Sequence, residues 1–306
     1  MFRFAEICLK QGFTLSRLAA FLQVAEAGGI ARAAGSNAVT QSKYSRQIGE
    51  LEEFFGTELF QRRGKNLILT DAGAELARVS REALSGLDDF RANCRHQSVP
   101  FSIGAGATLL RSIVAPQLGE IRTRFPRIRI LLRNLRNREV ISGLQDLSVD
   151  FGLIKKAPLP RVISAIRLGV MEYALYIPKA LVPKETRLSW SWAVQNLPIA
   201  CQLTEGEVMR EQLERALNQR TKSVRFALLS ETYAEIVRAL FTKSYAALLP
   251  SIVKSELDHT DFVEVRIPAL NGSPQQVFLA WNKRLLRLRS GAETLKNCLL
   301  ELLKFI

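Results

Sequence analysis

Residues 30–56 read IARAAGSNAVTQSKYSRQIGELEEFFG, and this stretch decides the fold. Ile30 to Ser36 is a short helical run, and Asn37-Ala38-Val39 reads as a turn. Thr40 is a suitable N-cap for a longer helix to about Phe55, which Gly56 ends. That helix opens on polar side chains, Gln41, Ser42, Lys43, Ser45 and Arg46, before Ile48, Leu51 and Phe55 take over as core. Upstream, Leu15, Leu18, Phe21, Leu22 and Ala25 recur at helical spacing until Gly28-Gly29 stops them. Two helices, a tight turn and a third helix with a polar start make a helix-turn-helix. Such a third helix enters the major groove with its N-terminal side chains toward base edges. Glu50, Glu52 and Glu53 sit at its far end, away from phosphate. The competing reading is a plain solvated helix face.

Outward from this motif, Leu59-Phe60-Gln61-Arg62-Arg63 and Asn66-Leu67-Ile68-Leu69-Thr70 flank Gly64-Lys65, a hairpin signal. The hairpin makes the motif winged and carries Arg62, Arg63 and Lys65 toward flanking phosphate or the minor groove. A long helix then starts after Thr70 or Asp71, with Leu76, Val79, Ala83, Leu87 and Phe90 on one stripe. The stripe either packs on its own domain or forms a seam with a second copy.

A polar stretch ending in His96, Gln97 and Ser98 precedes Pro100 and marks the main boundary. Beyond it, strands alternate with helices: Phe101–Ala105, Ile128–Leu132 and Val149–Ile154, with helices through Arg111–Phe125 and Arg138–Leu147 between them. The order recurs over Pro198–Gln202, Glu205–Leu217, Val224–Leu229, Thr232–Thr242 and Ala246–Leu249. Two βαβαβ units predict two lobes with parallel sheets, whose ligands sit at strand carboxyl ends.

The 306 residues, 47% hydrophobic and 24% charged, describe an ordinary globular chain of about two domains. No run approaches the length of a membrane helix and the start shows no signal peptide, so a cytoplasmic location is expected. The net charge of +14 favours anionic partners. It is concentrated after residue 98, where 30 basic residues face 18 acidic ones, against 13 and 11 before. Cys8, Cys94, Cys201 and Cys298 are far apart and read as free thiols; only His96 and His259 are histidines. Neither a metal site nor a cofactor is signalled.

The run Ala33-Ala34, Thr40-Gln41-Ser42, Ser45-Arg46-Gln47-Ile48, Leu51-Glu52, Phe55-Gly56, Leu59-Phe60, Arg62 and Leu69-Thr70-x-Ala72-Gly73 resembles the signature of LysR-type transcriptional regulators. Ile103-Gly104-Ala105, Phe125-Pro126, Asp150-Phe-Gly-Leu-Ile154 and Leu248-Leu249-Pro250 extend the resemblance over nearly the whole chain. Asn37 stands where the family usually has leucine, and can cap the turn. Lys43 and Tyr44 replace smaller or apolar residues. Leu240-Phe-Thr-Lys-Ser-Tyr-Ala246 lacks a common pair of glycines, and its bulk is expected to narrow the ligand cleft.

The resemblance implies an α/β protein with an N-terminal winged helix-turn-helix (1–72), a dimerising linker helix (73–97) and a two-lobed Rossmann-like, type 2 periplasmic-binding-protein-like effector domain (98–306). Lobe I takes about 98–172 and 275–306, and lobe II about 173–274. The implied partners are double-stranded operator DNA and a small effector, expected to be a carboxylate. A second copy joins through the linker helix, and a tetramer through the effector domains. RNA polymerase is a further partner the resemblance allows, and a membrane is not. By the same resemblance, the effector cleft takes Ala107, Thr108, Arg136, Asn137, Gln202, Leu203, Thr204 and Ser230. Amides at the start of the helix after the first strand favour an anion. Thr108 and Asn137 read equally well as plain helix caps.

Two other classes compete. An enzyme on the two-lobed region lacks a phosphate loop, a nucleophile elbow and a metal cluster. A transport receptor has no use for residues 14–73.

Overall fold

The computed structural model describes residues 7, 12–63, 66–95, 97–155, 157–184, 187–216, 224–257, 261–272 and 275–305. Cys8, Gly64, Lys65, His96 and His259 lie outside these, as do the side chains of Arg63, Asn66, Asn93, residues 203–208 and Ser255.

Helix α1 (Leu15–Ala27) starts at Thr14, whose hydroxyl accepts the Arg17 N–H at 3.2 Å, and closes at Gly28. Its Leu18, Phe21 and Val24 are buried against Ile48, Leu51, Leu59 and Phe60. Each such fully buried side chain contributes roughly 2–3 kcal/mol. Helix α2 (Ile30–Ala34) ends earlier than the sequence predicts. Gly35 takes φ 60°, ψ −143°, which side chains disfavour, and so turns the chain.

Helix α3 (Ala38–Phe55) corrects two expectations. Its cap is Asn37, not Thr40: the Asn37 Oδ1 accepts the Thr40 N–H at 3.0 Å. Ala38 and Val39 are therefore the first helical residues rather than part of the turn. An asparagine upstream satisfies the free amides before Thr40 can. Phe55, expected in the core, is 39% exposed and meets Phe13 and Phe54 edge to face, with centroids 5.9 and 5.0 Å away. Three aromatics at that end have more surface than the small core can take in.

Strands β1 (Phe60–Arg63) and β2 (Asn66–Leu69) form the wing. The Glu52 carboxylate accepts the Leu59 and Phe60 amides at 2.8 and 3.3 Å and sets the wing on α3. Helix α4 (Asp71–Cys94) begins where the Thr70 hydroxyl accepts the Gly73 N–H at 3.0 Å. Its apolar stripe divides. Leu76 packs on the DNA-binding domain's core, whereas Val79, Ala83, Leu87 and Phe90 are exposed.

Two five-stranded sheets follow. The first has order β4-β3-β5-β12-β6, built from β3 (Val99–Ala105), β4 (Ile128–Asn134), β5 (Phe151–Lys155), β6 (Ile163–Met171) and β12 (Gln275–Asn282). The second has order β11-β7-β10-β8-β9, from β7 (Tyr173–Pro178), β8 (Ile199–Gln202), β9 (Phe226–Ser230), β10 (Ala246–Pro250) and β11 (Phe262–Arg266). The predicted strand trios are parallel, β4-β3-β5 and β9-β8-β10. The other strands pair antiparallel and carry the chain between lobes, outward from β6 to β7 and back from β11 to β12.

The segment after β3 is not one uniform helix. Helix α5 (Ala107–Leu109) widens into a π turn (Leu110–Val114), tightens to a 3₁₀ turn (Ala115–Gln117) and resumes as α6 (Leu118–Arg124). Pro116 has no N–H to give to the Ser112 carbonyl, so the regular ladder fails there. The remaining helices are α7 (Asn137–Gln145), α8 (Trp190–Asn196), α9 (Leu203–Ala216), α10 (Tyr233–Phe241), α11 (Leu285–Leu288) and α12 (Ala292–Leu302). Among the described residues, no helix is long and apolar enough to cross a membrane.

Candidate nucleic-acid and effector sites

The start of α3 is laid bare by its own amphipathicity. Ile48 and Leu51 are buried, while Ser42, Lys43, Ser45 and Arg46 are exposed on the outer face. Tyr44 anchors the helix by donating from its hydroxyl to the Gln23 side chain. Glu50 pairs with Arg17, leaving Arg46 only a 3.9 Å approach to Glu50 and 76% side-chain exposure. Gln41 is half-buried and donates to the Gly35 carbonyl at 3.1 Å, so its amide must turn outward to read a base. Arg62 is exposed on the wing. Val39, read as a turn residue from sequence, is 80% exposed in the first turn of α3. Its presence on this surface depends on where the helix starts, which the Asn37 cap decides.

The residues expected in the effector crevice are less free. Ala107 is exposed and Thr108 half-buried at the carboxyl end of β3. The Thr108 hydroxyl has no hydrogen-bond partner among the described residues. Asn137 is committed: its Oδ1 accepts the Lys155 N–H at 2.8 Å and its Nδ2 donates to the Lys155 carbonyl at 3.4 Å. It clips α7 to the end of β5. Arg136 is exposed, and its backbone N–H donates to Glu139 at 2.7 Å. Gln202 donates to the Glu231 carbonyl at 2.9 Å. Ser230 donates to Glu235 at 3.2 Å and accepts the Thr232 N–H at 3.3 Å. Leu203 and Thr204 open α9, and their side chains are among those outside the described residues.

A cleft of about 850 Å³ lies elsewhere, beside the strands that cross between lobes. Gly169 and Val170 of β6, Tyr173 of β7 and Arg266 of β11 line it, with the chain end at Lys304 and Phe305. None of the expected effector residues does. Thr242, Lys243 and Ser244, expected to narrow the ligand space, are exposed and do not line this cleft. Lys243 pairs with Asp261 at 2.8 Å. It takes φ 60°, the backbone geometry a glycine would adopt more readily.

The lobes also touch directly. Glu256 accepts from Ser112 at 2.8 Å and pairs with Arg111 at 2.7 Å. Cys201 and Cys298 are buried and Cys94 is exposed, and none of the three is in a disulfide. Burial pushes the Cys298 thiol up from its ordinary value.

Comparison with known proteins agrees with this architecture. Residues 15–74 match the model of the bacterial regulatory helix-turn-helix protein, lysR family, and residues 95–304 match the LysR substrate binding domain. The regulator HdfR of Yersinia enterocolitica is 28% identical over 238 residues, 76% of this chain and 80% of HdfR. The uncharacterized regulator YnfL of Escherichia coli is 32% identical over 152 residues; the match spans about half of each chain, 48% and 51%. Among solved structures, a full-length OxyR variant from Pseudomonas aeruginosa superposes with a TM-score of 0.63 at 16% identity, covering 95% of this chain and 94% of that one. CbnR in complex with its target DNA gives 0.56 at 18%, covering 94% and 99%. These likenesses extend over both the DNA-binding and two-lobed regions, and the chain belongs to the LysR family of DNA-binding transcriptional regulators.

Proposed function

We propose that this chain reads operator DNA with the first two turns of α3, Gln41, Ser42, Lys43, Ser45 and Arg46, and grips flanking phosphate with Arg62, Arg63 and Lys65 of the wing. The observation that carries this reading is the exposed polar and cationic start of α3 above a buried Ile48–Leu51 face. Its work is regulation rather than catalysis. A gel-shift titration with the DNA upstream of its own gene tests it. Saturable binding that survives excess unrelated duplex supports the assignment, and binding no tighter than to unrelated duplex overturns it.

The division into 1–72, 73–97 and 98–306 belongs to the same reading. Two copies pair through the exposed side of α4, and effector domains join pairs into a tetramer. The effector is a small organic anion, a carboxylate, held between the lobes at the end of β3. The unpartnered Thr108 hydroxyl supports this crevice. The commitments of Asn137, Gln202 and Ser230 leave Thr108 and the exposed Arg136 as its side-chain donors among the described residues. A Thr108→Val protein keeps the shape and loses that donor. Weaker response to the inducing anion supports the crevice, and unchanged response removes Thr108 from it.

A further inference from the structure

We propose that the cleft beside the crossing strands is a second binding site, for an organic anion with an apolar body. Its volume of about 850 Å³ suits a metabolite-sized ligand. Four cations and two carboxylates line it. Lys254 is spent on Glu264 at 2.7 Å. Arg167, Arg266 and Lys304 have no carboxylate partner among the described residues. With Glu172 as the other lining carboxylate, the three cations still leave an excess of positive charge around a concave wall, which draws an anion, and an Arg fork matches a carboxylate. Ile113, Val170, Ile252 and Leu302 supply apolar contact around these charges.

One wall is closed by the chain end. The pairing of β6 with β12 slips at Leu168, which has no partner on β12. Its carbonyl accepts the Phe305 N–H at 3.1 Å, laying the chain end along β6. A Cβ at Gly169 would come within 2.3 Å of the Phe305 carbonyl oxygen, so only glycine admits this close approach. Glu264 and Arg266 share one face of β11, where Glu264 pairs in register with Tyr176 of β7, a residue that does not itself line the cleft. The buried Tyr176 hydroxyl has no hydrogen-bond partner among the described residues. The cleft takes residues from both lobes, and Ser112, bonded to Glu256 across the lobes, is on its rim. An occupant that fits one arrangement of the lobes better than another favours that arrangement.

Full-length protein is titrated calorimetrically with 2-naphthoate and octanoate, their neutral amides, and inorganic phosphate. The expected result is one carboxylate per chain, with the matching amide and phosphate about tenfold weaker or more. An Arg167→Gln, Arg266→Gln double variant, altered only at exposed positions, weakens carboxylate binding about tenfold. Thr108→Val leaves it unchanged. The proposal is overturned if neither carboxylate binds, if amide binds as well as acid, or if the double variant binds normally. Loss confined to Thr108→Val also overturns it, because the anion then sits in the β3 crevice.

Discussion

Nη2 of Arg289 lies 2.7 Å from Oδ1 of Asp89, joining the linker helix to the effector domain across 200 positions of sequence. The guanidinium also reaches Asp150 at 2.8 Å and the Pro100 carbonyl at 2.7 Å, and covers the Phe101 ring at 4.3 Å. Asp150 in turn accepts from the Ser102 amide and hydroxyl at 2.7 and 2.8 Å. Burial works against the charge on Arg289, but the two carboxylates more than offset it and hold the group protonated. Arg81 to Asp146 at 3.2 Å and Arg284 to Glu82 at 3.0 Å tie the same helix down along its length.

Arg289→Met leaves Asp89 and Asp150 buried without a counter-charge, and is expected to cost about 3–5 kcal/mol. Asp89→Asn costs less, because Arg289 keeps Asp150. Urea unfolding of the full-length protein measures both. A loss below about 1 kcal/mol for Arg289→Met means that the junction is not formed in solution.

Removing cations from the DNA face should change salt dependence more than sequence choice. Arg62→Ala leaves one phosphate without its cation, so the slope of log affinity against log salt falls by about 0.9 for each phosphate no longer neutralised. Affinity drops for operator and unrelated duplex alike. Fluorescence anisotropy across a series of salt concentrations decides it, and an unchanged slope places that residue away from the backbone.

Val39 and Gln41 should behave in the opposite way. An exposed valine in the first turn of α3 suits a thymine methyl, and a freed Gln41 amide suits adenine. Val39→Ser and Gln41→Ala each shift base preference at one operator position by about 1 kcal/mol, with the salt slope unaltered. Selection from a randomised operator library reads this out. A preference identical to that of the unaltered protein removes the residue from base reading.

The exposed part of the linker stripe is expected to be an interface. Leu87 is 53% exposed and Phe90 69% exposed within one chain. Leu87→Glu should halve the mass seen in sedimentation, with little change in the unfolding of the chain itself. An unchanged mass would show that copies do not meet there.

The cap of α3 can be assigned by two single changes. Asn37→Ala removes the acceptor for the Thr40 amide and should cost about 1 kcal/mol. Thr40→Ala should cost only a few tenths. Equal losses in thermal unfolding would return the cap to Thr40.

Elements whose signals are local could be read straight from the order of residues. The Leu18, Phe21, Ile48 and Leu51 spacing, the hairpin around Gly64-Lys65 and the six parallel strands all rest on neighbours within a few residues. The polar start of α3 was legible for the same reason, since exposure follows from helical period. Even there, competition between Asn37 and Thr40 was a matter of backbone geometry, and it decided that Val39 joins the surface. The antiparallel strands β6, β11 and β12 carry mixed burial, β6 and β12 also a register slip, and β7 is buried throughout, so alternation does not announce them. Asn137, Gln202 and Ser230 have the right chemistry for a ligand, but their own folded backbone or a nearby carboxylate takes it up first. Arg289 and Asp89, or Arg167 and Lys304, acquire their roles when distant segments meet. A charge's partner is set by distance in space, and that distance exists once the chain has folded and not before.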